Sequence, residues 1–210
     1  MELIQKSFVS ADTYNSLPTI QEAANSPEKY AADLVYLQRL LAKHNVPKSV
    51  SIRLIHRHYD IADGDAMVFR NIALPAHGTV EVMRATPATS TQLHGIVEVM
   101  RATPATSTQL HGILVCLKLA CISSAGQLQA YEYTTDTTID ISEYGTFVAE
   151  FVEIVIERKL QHKFGLKIND YNSKIGVSVS QKEFEFPEEQ YTITIPVTLP
   201  LPEDTHEISC

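Results

Sequence analysis

The chain has 210 residues and a formal net charge of −8, with 44% apolar and 20% charged residues. That apolar content excludes an intrinsically disordered chain, and the length suits a single domain able to close a substantial core. Lys and Arg are scattered along an acidic sequence with no basic stripe for a phosphate backbone, so nucleic-acid binding is not expected.

In chain order, Thr19-Ile20-Gln21-Glu22 has the pattern of a capping box, in which a Thr hydroxyl and a Glu carboxylate satisfy each other's backbone N–H groups, and a brief helix is predicted there. Ser26 as cap and Pro27 at the first helical position open a second helix. Its apolar residues Tyr30, Leu34, Leu37 and Leu41 recur at helical spacing until Asn45 and Pro47 stop it. From Ser49 the period changes to two, and strands are predicted at Ser49 to Tyr59, Ala66 to Ala73, Thr79 to Ala85, Ile113 to Ser123 and Leu128 to Thr135. The connectors Ala62-Asp63-Gly64-Asp65 and Ser123-Ser124-Ala125-Gly126 carry the small and polar residues that tight turns require.

A long helix is predicted from about Glu143 to Phe164, with Phe147, Val148, Phe151, Val152, Val155 and Leu160 on one face and Gly165 as its left-handed cap. Two strands follow, at Ile175 to Phe186 and Tyr191 to Val197. Consecutive strands without intervening helices point to an α+β fold: an antiparallel, strongly curved sheet with the 143–164 helix and the N-terminal helices packed on it. A single domain is expected over residues 1–202, with 203–210 as a flexible tail after the prolines of Pro196 to Pro202.

Inside this pattern Val80 to Ile96 is repeated without one change as Val97 to Ile113. Solenoid repeats keep a core pattern while their surfaces vary, whereas here even Thr86-Pro87-Ala88-Thr89 recurs as Thr103-Pro104-Ala105-Thr106. The segment is therefore an inserted copy. A shift of 17 residues is odd and moves each copied side chain to the opposite face of a strand. One copy is expected to pair in the sheet and the other to loop out, at modest entropic cost.

The amino terminus lacks a basic segment followed by an apolar run, and the longest apolar stretch, Ile113 to Ile122, is broken by Lys118; neither secretion nor membrane association is expected. Cys116, Cys121 and Cys210 are odd in number and lack metal-type spacing, which fits free thiols in a reducing, cytoplasmic setting.

The polar residues that sit oddly belong to Ser51-Ile52-Arg53-Leu54-Ile55-His56-Arg57-His58-Tyr59-Asp60. Read as a strand, it places His56 and His58 on the apolar face with Ile52 and Leu54, and Arg53, Arg57 and Tyr59 on the other. Buried imidazoles need partners for both ring nitrogens, so the pair marks a pocket. His56, His58 and Asp60 are the candidate catalytic residues for acid/base chemistry. His56 and His58 are also candidate ligands for a divalent metal, with Asp60, Asp63, Asp65, Glu132 or a His at 77, 94 or 111 as third donor. Tyr131, Glu132 and Tyr133 are candidate ligand-binding residues.

A His-x-His followed by a carboxylate resembles the first metal motif of the cupins, a resemblance that implies a metal held inside a β-barrel. It spans about ten residues of the 210, no Gly stands five residues before His56, and Asp60 and Asp63 replace the family's Glu. No nucleotide fingerprint, phosphate-cradling loop or nucleophile elbow occurs, so no nucleotide cofactor is expected. The sequence thus supports a small-molecule-binding protein or small enzyme, with a non-catalytic interaction or scaffold protein, or a cupin-like metal-binding protein, as alternatives and a homo-oligomer as an open option.

Overall fold

The computed structural model describes residues 8–47, 50–74, 78–87, 117–122, 126, 128–134, 144–168 and 181–196. In chain order these form α1 (Ala11–Asn15), α2 (Ile20–Ala23), α3 (Ser26–Lys29), α4 (Ala31–Lys43), β1 (Val50–Leu54), β2 (Asp65–Leu74) and β3 (Gly78–Pro87). They continue with β4 (Leu117–Ile122), β5 (Leu128–Thr134), α5 (Gly145–Glu157), β6 (Phe164–Ile168), β7 (Gln181–Phe186) and β8 (Tyr191–Pro196). The fold is α+β, its described strands forming one strongly curled sheet in the order β1-β6-β4-β5-β2-β3-β8-β7, a half-barrel.

The capping box forms as read: the Glu22 N–H donates to Thr19 Oγ1 (3.3 Å), and the Thr19 N–H donates to Glu22 Oε2 (2.7 Å). The next helix divides. Ser26 lies inside α3 rather than capping it, and Tyr30, at φ −114° and ψ 29°, separates α3 from α4. At the end of α4, Asn45 takes a left-handed φ of 50°, and Val46 and Asn45 donate back to the Leu41 and Ala42 carbonyls, which closes the helix.

The same motif shortens the later helix. Instead of running over 143–164, α5 stops at Glu157, because Lys159 turns left-handed (φ 57°) and the N–H groups of Leu160 and Lys159 donate to Val155 and Ile156. Leu160 is buried beside Val155, the apolar contact that accompanies this cap. Gly165 is not a cap. It lies in β6, where an added Cβ would sit 2.1 Å from the Ala120 carbonyl oxygen, so only glycine lets β6 and β4 approach.

The sheet is mixed rather than antiparallel. β2 and β5 run parallel, with Met67 opposite Glu132 and Phe69 opposite Thr134, while the other neighbouring pairs are antiparallel. Parallel neighbours need a long crossover, and residues 88–116 between β3 and β4 supply the chain length to bring the β4–β5 hairpin to the other edge of β2. Val80–Pro87 of the first duplicated copy pair in β3; the rest of that copy, the second copy and the 203–210 tail lie outside the described residues.

The two faces of the sheet bury different cores. Against one, α4 and α5 pack Leu37, Leu40, Phe147, Val148, Phe151 and Val155 on Val68, Ala120, Ile122 and Leu166. Each of the larger side chains contributes roughly 1.5–3 kcal/mol by leaving water. On the concave face Val9, Tyr14, Leu17, Ile55 and Tyr59 cover Met67, Phe69, Met83 and Tyr131. No described helix is long and apolar enough to cross a membrane.

Candidate functional site

The site forms where the chain leaves β1. The strand ends at Leu54, not Tyr59: the Ile55 N–H still donates to Lys163 O (2.9 Å), one last rung beside β6, and the Arg57 N–H then turns away to Pro18 O (2.8 Å). The Arg57 guanidinium also donates to Leu17 O. His56 and His58 therefore sit just past a strand instead of on one. They nevertheless meet, with ring centroids 4.7 Å apart at 66°.

Opposite them stands β7, the far edge of the sheet. In Lys182-Glu183-Phe184-Glu185-Phe186 the phenylalanines pack with Val80, Val82 and Ile195 on the outer face, which by strand alternation leaves both carboxylates on the concave face. His58 Nδ1 donates to Glu185 Oε1 at 2.7 Å, while His58 Nε2 lies 3.6 Å from Glu132 Oε1 and 3.9 Å from Glu183 Oε1. Glu183 also accepts from Thr194 Oγ1 (3.3 Å). These contacts span the seam between the two sheet edges.

Glu132 reaches the seam through a β-bulge. Leu119 pairs with Glu132 but Ala120 with Ala130, so Tyr131 is an extra residue on β5, and Tyr131 and Glu132 project to the same side. Tyr131 packs near Tyr14, its hydroxyl buried without a protein partner, whereas Tyr133 lies in the opposite core and donates to Ala130 O (2.8 Å). Of the predicted ligand-binding residues, only Glu132 lines the cavity beside the histidines. Asp60 is not part of the cluster: its side chain is 71% exposed and pairs with Arg57 Nε at 2.9 Å, the nearer local partner. Asp63 and Asp65 line a separate depression with Phe8 to Ala11, and residues 77, 94 and 111 lie outside the described residues.

The cavity measures about 380 Å³ and is lined by His56, His58, Phe69, Glu132, Lys167 and Glu183, with Leu34 and Leu41 of α4 at its other end. Its charges are interdependent. Burial, reinforced by the neighbouring His58, pushes His56 down to about 4. Burial acts in the same direction on His58, but Glu183, the Glu185 hydrogen bond and Glu132 outweigh it and hold His58 above its ordinary value. Burial would raise Glu183, yet His58, Lys167 and His56 bring it down to about 2. At neutral pH His56 is thus a neutral imidazole beside an ionised carboxylate.

Hydrogen bonding fixes the tautomer. Leu54 O can only accept, so the His56 Nδ1–H donates to it at 3.2 Å, which leaves Nε2 of the neutral ring a bare lone pair. That Nε2 is buried without a hydrogen-bond partner, in a residue 6% exposed. Sequence reasoning missed Glu183, Glu185 and Lys167. The signal for the first two was present: carboxylates at period two opposite two phenylalanines mirror His56 and His58. Comparison with known protein families, curated proteins and solved structures gives no match.

Proposed function

We propose that this chain is a small-molecule-binding protein whose ligand enters the seam between β1 and β7 and is held by His56, His58, Glu132 and Glu183. The observation that carries the reading is the buried, unpartnered Nε2 of His56 on the wall of the cavity. Native interiors rarely leave such an atom without a partner, and functional sites are the common exception. The lining around His56 offers acceptors, its imidazole lone pair and the Glu132 and Glu183 carboxylates, alongside two cations, Lys167 and Arg53. The fitting ligand class is therefore small, polar and rich in N–H or O–H donors. If the protein catalyses a reaction, His56 is the group suited to accept a proton and the Glu185–His58 pair is suited to orient the substrate.

The test is a ligand-observed NMR screen of small amines, guanidines and polyols against the full chain and against His56→Phe. The reading expects ligands whose binding disappears in His56→Phe while the melting temperature is kept. Equal responses from the two proteins would refute it.

A second reading has its own observation. His58 has carboxylates within reach of both ring nitrogens, so the pair can serve as a staple that closes the curled sheet in a non-catalytic scaffold. In that case His58→Leu unfolds the chain while no ligand responds to His56.

A further inference from the structure

The seam has the features of a metal site. The donor atoms of His56, His58 and Glu183 lie within 4.8 Å of one another. Three ligands held at roughly 2.0–2.2 Å by a first-row metal stand about 3.3 Å apart, so a modest rotation of side chains closes the set. Glu183 is the member able to move, since its side chain is still 19% exposed while that of His58 is 3% exposed. Each imidazole has its Nδ1 held by an oxygen acceptor, His56 by the Leu54 carbonyl and His58 by the Glu185 carboxylate, so a neutral ring of either presents its Nε2 lone pair. Metal-ligating histidines are oriented in this manner, with the second nitrogen donating to a carbonyl or carboxylate. The His56 Nε2, buried and unpartnered, is the independent sign that a group belongs there.

We propose that His56 Nε2, His58 Nε2 and a Glu183 carboxylate oxygen bind one divalent transition metal of the zinc, cobalt or iron type, with Glu185 as the outer partner of His58. The proposal rests on the ligand-pocket reading and deepens it, because three protein ligands leave coordination positions open toward the cavity. Two nitrogens and one oxygen select against calcium and magnesium, which take oxygen ligands. Glu132, whose Oε1 lies 3.6 Å from His58 Nε2, adds negative charge that favours a cation.

The experiment titrates chelator-treated full-length protein with Co2+, followed by visible absorption and by calorimetry. The expected result is one Co2+ per chain, with nitrogen-ligand bands that vanish in His56→Ala and at least a tenfold loss of affinity in Glu183→Gln and in Glu185→Gln. Asp60→Asn serves as the folded control and keeps wild-type binding. Imidazole NMR of the wild type covers the case in which a variant does not fold: Co2+ must broaden the His56 and His58 ring signals before those of His44 and His162. The proposal is overturned if folded wild type takes up no Co2+, or if His56→Ala binds it as well as wild type. If Co2+ does not bind while an amine or polyol still binds through His56, the metal is overturned and the pocket stands; if neither binds, both readings fail.

Discussion

Gly165→Ala is the substitution whose consequence the structure specifies most closely. A Cβ at 165 would lie 2.1 Å from the Ala120 carbonyl oxygen, 3.1 Å from its carbon and 3.3 Å from Ile55 Cγ1. The first two are backbone atoms and cannot rotate away. A carbon–oxygen contact becomes comfortable near about 3.3 Å, so β6 and β4 must separate by roughly 1 Å. That stretches the ladder at Leu119–Lys167 and Ala120–Leu166. Two hydrogen bonds at about 1 kcal/mol net each, plus about 1–3 kcal/mol for overpacking, give an expected loss of about 3–5 kcal/mol. Against a total stability on the order of 5–15 kcal/mol this is close to unfolding. Gly165 also pairs with Arg53 and β6 carries Lys167, so the histidine cluster should be displaced as well. Urea denaturation followed by circular dichroism measures the effect. Gly145→Ala is the matched control, since nothing lies within 4 Å of its added Cβ and α5 begins there. It should be neutral or stabilise by up to about 1 kcal/mol. A loss below about 1 kcal/mol for Gly165→Ala would refute the close-approach argument.

Other expectations follow from the same structure. Cys121 is buried and its thiol is pushed up to about 11 by burial, so peptide-mapped alkylation at pH 8 should leave it unmodified until the protein is denatured; rapid native labelling would contradict its placement. His56 is held down to about 4, below its ordinary 6.5, so the unfolded chain takes up its proton first. Stability from the neutral ring is complete above about pH 6.5 and drains as pH falls toward 4, by about 3 kcal/mol. The loss should appear as an acid sensitivity of wild type that His56→Phe lacks, and parallel profiles for the two proteins would contradict it. Asp60→Asn breaks an exposed pair with Arg57 and should cost less than about 1 kcal/mol, with the imidazole signals of His56 and His58 unmoved. A shift of those signals would return Asp60 to the site.

Legibility in the sequence tracked local physics. The Thr19–Glu22 box and the period-two strands β2 and β3 were readable because neighbours in sequence decide them. β6 was hidden, since Phe164–Ile168 is buried at every position and so shows no alternation. Leu160 continued the apolar face of α5 on paper but closes the helix in space. Nothing local marks β2 and β5 as parallel, a pairing set by where the β4–β5 hairpin docks. Of the site, the sequence revealed His56 and His58, because two imidazoles beside Ile52 and Leu54 are out of place in an apolar pattern. It pointed to Asp60 by proximity, yet the carboxylates that meet the rings are 74 or more positions away, on β5 and β7. The meeting of the sheet's two edges is a property of its curl, and period-two spacing alone does not encode it.

Imidazole nitrogen NMR of metal-free, ligand-free protein at pH 7 reads the state of His56 itself. His56 should be neutral, protonated on Nδ1, with an Nε2 signal of a bare lone pair that moves when Co2+ or a donor-rich ligand is added. A proton on His56 Nε2, or a charged ring at that pH, would contradict this.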